Sequence, residues 1–295
     1  MNVLQGAIGA MFQNPYMADI LTRSIVVGVL VSLCASLLGV TLVMKRFSMI
    51  GDGLSHVGFG ALAIATALDL GDYSMAVSLP IVLIAAVLLM RLSESRKMKG
   101  DAAIAVLSTG AIAIGTLLFK FSNNQYADIC NSLFGSSSMV TLSNLDLIVT
   151  IAVSVVVVTL FILFFTRIFS VTFDENFAKA TGVRVGVYNL LLACLTGVTV
   201  VVGMKMVGAI MVSGLIVFPA LSAMRVCKRF WTVVVTSAAL SLVCFAGGFA
   251  MSLGADVQPG PAIITVHVAV FILFVLLGAA VTAARKANSK KIVVE

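Results

Sequence analysis

The sequence predicts an all-α, polytopic integral membrane protein with about eight to nine transmembrane helices, and three observations carry that reading. Of its 295 residues, 61% are hydrophobic and only 11% charged, with a mean hydropathy of +1.16. Apolar runs long enough to cross a bilayer, about 20 residues each, recur along the whole chain. Basic residues collect in alternate gaps between those runs. A water-soluble domain carries about a quarter of its residues as charges, far more than this chain has. Lipid is therefore the solvent, and in lipid every backbone group must pair internally. Unbroken apolar runs exclude a β-barrel, whose strands alternate polar and apolar residues.

Nine spans are read in order: 20–44, 53–70, 74–91, 102–121, 145–168, 185–202, 205–224, 231–253 and 262–284. The sixth and seventh share one long run broken only by Gly203 and Lys205, which would mark a tight turn. The segment Met11–Pro15 reads as an interfacial lead into the first span. The first twenty residues lack the basic start and small-residue cleavage site of a signal peptide. The loop 122–144 is the longest, and its fairly apolar stretch 129–134 leaves partial re-entry open. No internal repeat and no soluble domain is evident, so 1–295 reads as a single transmembrane domain.

The charge of +7 is an orientation signal. All of the 19 Lys and Arg residues except Arg23, Lys120 and Lys205 lie on or beside 45–52, 92–101, 169–184, 225–230 and the C-terminal tail. Cytoplasmic loops carry such an excess. The N-terminus is thus expected outside and the C-terminus inside, and a nucleic-acid role is excluded. Cys34, Cys130, Cys194, Cys227 and Cys244 are scattered without a C-x-x-C pair and read as packing residues.

Candidate chemistry begins at Gly51-Asp52-Gly53-Leu54-Ser55-His56. Asp52 and His56 are four apart and share a helix face. A carboxylate and an imidazole so placed suit a divalent transition metal. From spacing alone, Asp52 as a helix cap and His56 as a packing residue fits as well. These boundaries put the pair near the cytoplasmic end, and a helix starting near Ser48 would set it deeper.

A second feature lies in the cytoplasmic loop before Gly182. Thr172 and Glu175 have capping-box spacing, and Gly182 is a natural stop, so a helix of about nine residues fits between them. Phe173, Phe177 and Ala180 would then form one apolar face, with Asp174 and Glu175 beside it. So short a helix needs a partner surface. Docking onto a cytoplasmic protein is favoured over lying on lipid, because acidic residues suit an anionic membrane poorly. The chain has no G-x-x-x-x-G-K-[ST] sequence, so a phosphate-binding loop of that kind would have to come from another subunit.

Further along, Ala209 and Ser213 have the small-xxx-small spacing of close helix packing, and Pro219 can kink its helix. Asp256 precedes the last span in an outer turn, where it would meet cations or simply be solvated. His267 sits in that span, as a ligand or as a buried histidine with one partner. Ser213, Pro219, Asp256 and His267 are thus secondary candidates for a substrate path.

Taken in order, these pieces resemble the membrane permease subunits of bacterial zinc, manganese and iron ABC importers. The resemblance rests on Met11-Phe12-Gln13-Asn14, on Lys45-Arg46 followed by Gly51 to His56, on Lys99 to Ile104, on Phe173 to Gly182, on Val207 to Ala220 and on Asp256 to Pro261. It implies a homodimer in the inner membrane, a separate ATP-binding subunit beneath and an extracytoplasmic metal-binding protein above. It implies that Asp52 and His56 lie on the ion path, and that 173–182 couples ATPase closure to the spans. The expected cargo is zinc or manganese, with iron as a further option, and no permanent cofactor. Gly53 departs from the usual alanine, which loosens the helix start, and His267 stands where aliphatic residues are usual. Two competing classes are a stand-alone secondary transporter and an intramembrane metalloprotease. The latter lacks H-E-x-x-H in a chain with only two histidines.

Overall fold

A computed structural model describes residues 15–70, 73–94, 100–121, 133–135, 144–255 and 257–292. Among the described residues there is no strand. Within the same residues eleven helices follow one another: α1 (Pro15–Met44), α2 (Met49–Ala67), α3 (Ser74–Glu94), α4 (Gly100–Phe121), α5 (Asn144–Leu163), α6 (Phe165–Phe173), α7 (Glu175–Ala180), α8 (Val185–Val207), α9 (Ala209–Val226), α10 (Phe230–Ala255) and α11 (Pro259–Ile292).

Seven of these, α1, α3, α4, α5, α8, α10 and α11, are long and apolar enough to cross a membrane. Of the other four, α6 and α7 are short, and α2 and α9 are the interior ones. Asp52, His56 and several glycines dilute the hydropathy of α2, whereas the apolar part of α9 is short. Each is sheathed by longer neighbours: α2 packs on α3, α4, α8 and α9, and α9 packs on α1, α10 and α11. Counting these two with the seven accounts for the nine expected spans.

Small residues let these helices approach closely. A Cβ on Gly39 of α1 would lie 1.9 Å from the Ile216 carbonyl oxygen of α9. Gly53 is a point of close approach between α2 and α4. A Cβ there would stand 2.8 Å from Ile104 Cγ2, so glycine makes room for α4. The largest core runs through this centre, with Leu54, Phe59, Val82, Ile104, Phe119, Val200, Leu215 and Ile216 buried together.

Boundaries differ from expectation at four places, each for a local reason. The second span begins at Met49, after Ser48, so Asp52 lies in its first turn. The fifth span is not continuous to 168: it stops at Leu163, Phe164 departs from helical geometry, and α6 begins as a separate helix. The turn between the sixth and seventh spans falls at Gly208, not at Gly203 or Lys205. Gly208 has φ +93°, a conformation open to glycine and strained for other residues. Gly203 instead stays helical within α8. The coupling segment is not one nine-residue helix: α6 runs to Phe173, and α7 spans only the six residues Glu175–Ala180.

Two ends of the bundle are recognisable. At one, Gly135 packs on Val207 and Gly208, and Gly260 packs on the carbonyls of Val207 and Phe134. At the other, the α1–α2 turn meets α7 and the start of α8. Most of the loop 122–144, and Asp256 with it, falls outside the described residues.

Candidate functional site

Asp52 and His56 are one turn apart on α2, with Asp52 Oδ2 3.6 Å from His56 Nε2. Their side chains are 34% and 15% exposed, so the pair lines a partly open face of the helix. Asp52 is not a cap, since Ser48 holds the N-cap position. A carboxylate in the first turn also gains from the positive end of the helix dipole. The Asp52 carboxylate meets a third group, the Ser213 hydroxyl of α9. Two of the sequence-derived candidates therefore join a third from a distant span. His56 Nδ1 is buried and makes no hydrogen bond. An unpaired buried imidazole nitrogen is costly, and a bound ion is one of the partners that would satisfy it.

The pair is also deep. Gly51 faces Ile216, which lies about 10 Å along α9 from its start at 1.5 Å per residue. The start of α2 is thus well inside the bundle rather than at its edge.

The remaining candidates are placed less centrally. His267 is 2% exposed, and its Nδ1 contacts the Ile263 carbonyl of its own helix at 2.9 Å, leaving Nε2 buried without a partner. Among the described residues no third His, Cys, Asp or Glu joins Asp52 and His56, so His267 is not brought to them within one chain. Pro219 is buried inside α9, and the helix runs through it unbroken.

The coupling segment is built differently from its sequence reading. Thr172 is no cap; its hydroxyl donates to the Ile168 carbonyl within α6 at 2.7 Å. Asp174 is extended at φ −148°, ψ 102°, and its Oδ1 accepts from the backbone N–H of Asn176 and Phe177 at 2.9 and 3.0 Å. This N-cap starts α7. At the other end Gly182, with φ +82°, closes it: Gly182 N–H donates to Lys179 O and Val183 N–H to Ala178 O. Phe173, Phe177 and Ala180 stay exposed while Ala178 is buried, so the short helix turns aromatic surface outward. Beside it lies a cleft of about 510 Å³ lined by Phe164, Arg167, Gly182, Arg184 and Tyr188, among others.

Glu175 of α7 reaches the membrane domain. Its Oε1 lies 2.8 Å from Lys45 Nζ, and Asn189 Nδ2 donates to the same oxygen at 3.3 Å. Burial pushes the Glu175 carboxyl up. The hydrogen bond and charge of Lys45, helped by Asn189 and Lys179, outweigh that and hold it below the ordinary carboxylate value.

A sequence profile of the ABC 3 transport family matches residues 17–278. The chain belongs to the ABC 3 transport family. It is 27% identical over 258 residues to the high-affinity zinc uptake system membrane protein ZnuB of Haemophilus influenzae, covering 87% of this chain and 97% of that protein. It is likewise 27% identical over 258 residues to the manganese transport system membrane protein MntC of Halalkalibacterium halodurans, covering 88% and 86%. Among solved structures it is similar to PsaBC from Streptococcus pneumoniae in complex with Fab, with a TM-score of 0.79 and 22% identity over 92% of this chain and 94% of that one. At that identity the likeness concerns the fold.

As an ABC 3 transport chain it is a multi-pass membrane protein, and two of its polar residues escaped the sequence reading. Lys45 entered only as a loop charge and as half of the basic pair before Gly51, although its side chain is 4% exposed. Asn189 is 6% exposed in the second turn of α8. A lone amide in an apolar ABC 3 span was the signal available for Asn189. Nothing in the spacing pointed Lys45 toward Glu175.

Proposed function

We propose that this chain is the membrane-spanning subunit of an ATP-driven importer of divalent transition-metal ions, with zinc or manganese as cargo. The observation that carries the reading is the Asp52–His56–Ser213 group deep between α2 and α9, with an imidazole nitrogen left unpaired. The named metals of the ABC 3 relatives support the same cargo. Asp52 supplies negative charge that offsets the ion's dehydration, His56 a nitrogen donor and Ser213 a neutral oxygen. Three groups of this kind leave coordination positions open, as a cargo site requires and a closed structural site does not. The partly exposed face leaves room for a second copy of the chain to complete the ligand set. Asp256, Pro219 and His267 are secondary residues of the path.

In this reading the whole chain is one transmembrane domain of the inner membrane. Its N-terminus is outside and its C-terminus inside, in line with the basic excess at the α7 end. A separate ATP-binding subunit docks on Phe173, Phe177 and Ala180, an extracytoplasmic protein delivers the ion at the opposite end, and lipid surrounds a homodimer. Metal is substrate here, with no permanent cofactor. The test is ATP-dependent uptake of zinc and manganese by the complex in proteoliposomes. Asp52→Asn and His56→Ala are each expected to abolish uptake while the complex still assembles. Wild-type uptake in both variants removes the pair from the path.

A further inference from the structure

Resting on that reading, we propose that Lys45 is a positioning residue that carries movement of α7 to the helix holding Asp52. Its ammonium, Glu175 of α7 and Asn189 of α8 form a closed polar triangle directly below the turn that opens α2.

The geometry is specific. Lys45 Nζ contacts Glu175 Oε1 at 2.8 Å and donates to Asn189 Oδ1, while Asn189 Nδ2 donates back to Glu175 Oε1 at 3.3 Å. Asn189 therefore uses its carbonyl toward the cation and its amide toward the anion. The Phe47 ring lies 5.9 Å from the same ammonium. Among the described residues, the Arg23–Asp19 ion pair and the His56–Asp52 contact join residues four apart and tie a helix to itself. This one joins elements far apart in sequence.

The turn above it is stiff. Lys45 N–H donates to Thr41 O, Arg46 N–H to Val43 O and Phe47 N–H to Leu42 O, with Arg46 in the left-handed region at φ +61°. A non-glycine residue there is uncommon and is held by its surroundings. Ile50 N–H then donates to Phe47 O, so the turn runs directly into α2 and its first-turn Asp52. Leu42 and Ile50, on either side, are both buried at 2% exposure.

The surroundings make the link hard to break. Lys45 borders a cavity of only about 10 Å³, lined otherwise by Leu42, Phe47, Ile50, Met90, Asn189, Leu192 and Ala193. That is at the lower limit for one water. Lys45 is itself only 4% exposed, and a buried ammonium without its counter-charge is strongly unfavourable. The apolar contacts of α7 are local: Ala178 packs with Val171, Val183 and Val185. The polar triangle is what reaches from α7 to the α1–α2 turn. A shift of α7 therefore takes Lys45 with it, and Lys45 takes the start of α2.

The test uses the full complex in proteoliposomes, reading uptake of zinc and manganese and ATP hydrolysis in the same vesicles. Lys45→Met is expected to leave ATP hydrolysis near wild type and to lower ions imported per ATP about tenfold or more, the scale of an inter-site coupling. The charge exchange Lys45→Glu with Glu175→Lys is expected to recover part of that ratio relative to Lys45→Glu alone. An unchanged ratio in Lys45→Met overturns the strut while leaving the importer intact. So does a proportional fall of hydrolysis and uptake in every variant, or loss of assembly in every variant, because each describes a structural residue. A wild-type complex that imports neither metal, with Asp52→Asn indistinguishable from it, overturns the importer reading and the strut together.

Discussion

Glu175 shows how one side chain can face two ways. It lies 41% exposed at the membrane boundary, yet its carboxylate is bound by Lys45 and Asn189 from within. Because its folded-state pKa is depressed, its contribution to stability is fully present above the unfolded value, about 4.3. It is lost as pH falls through the lower folded value. Lys45 and Lys179 are the cations facing it. Thermal unfolding of the purified chain at graded pH is expected to show this acid-side loss, and Glu175→Gln is expected to flatten it. An identical acid limb in the variant would mean that the carboxylate is not ionised against Lys45. Asp52, His56 and Ser213 illustrate the limit of reading residues from sequence. All three were named from the sequence, but only the pairing of Asp52 with His56 was legible, because four-residue spacing on a helix is local information. That Ser213 joins them depends on how α9 crosses α2, which no spacing records.

At the scale of elements, the spans were legible and their interruptions were not. Hydropathy adds up residue by residue, so 74–91 and 231–253 find α3 and α10 within a few residues. A break depends on the backbone conformation that packing imposes. Gly203 and Gly208 are alike in composition, but only Gly208 meets the 133–135 segment and takes a positive φ. A short helix lies in the loop where one was expected, but over Glu175–Ala180 and with another cap. Thr172 and Asp174 both offer an oxygen near the start of α7, and the extended backbone at Asp174 decides between them. A helix of six residues has little stability of its own, so its cap weighs heavily. Asp174→Ala is expected to cost about 1 kcal/mol locally. Hydrogen exchange at residues 176–180 should accelerate while α8 stays protected. Unchanged exchange there would show that Ala178 and its neighbours hold α7 without the cap.

For the whole molecule, the fold places its least lipid-compatible helices at the centre and most of its basic residues at one end. The basic excess and the position of α7 assign that end to the cytoplasm in the proposed topology. In a cysteine-free background, Tyr73→Cys is expected to react with a membrane-impermeant maleimide on intact cells. Lys228→Cys should react only in inside-out vesicles. Both residues are exposed, at opposite ends of the bundle. The reverse pattern would invert the topology and place α7 on the wrong side for an ATP-binding subunit.

The polarity of α2 also bears on how the chain is made. Asp52 in the first turn of α2 opposes partition into the bilayer, though by less than the roughly 2.5–3.5 kcal/mol that an Asp costs at a span's centre on insertion scales. Four glycines, 51, 53, 58 and 60, add no compensating apolar surface. Left alone at the translocon, this segment is a poor client, and its partition into lipid depends on escorts. α1 emerges first and α3 and α4 follow, so α2 is chaperoned into place by its own flanking sequence.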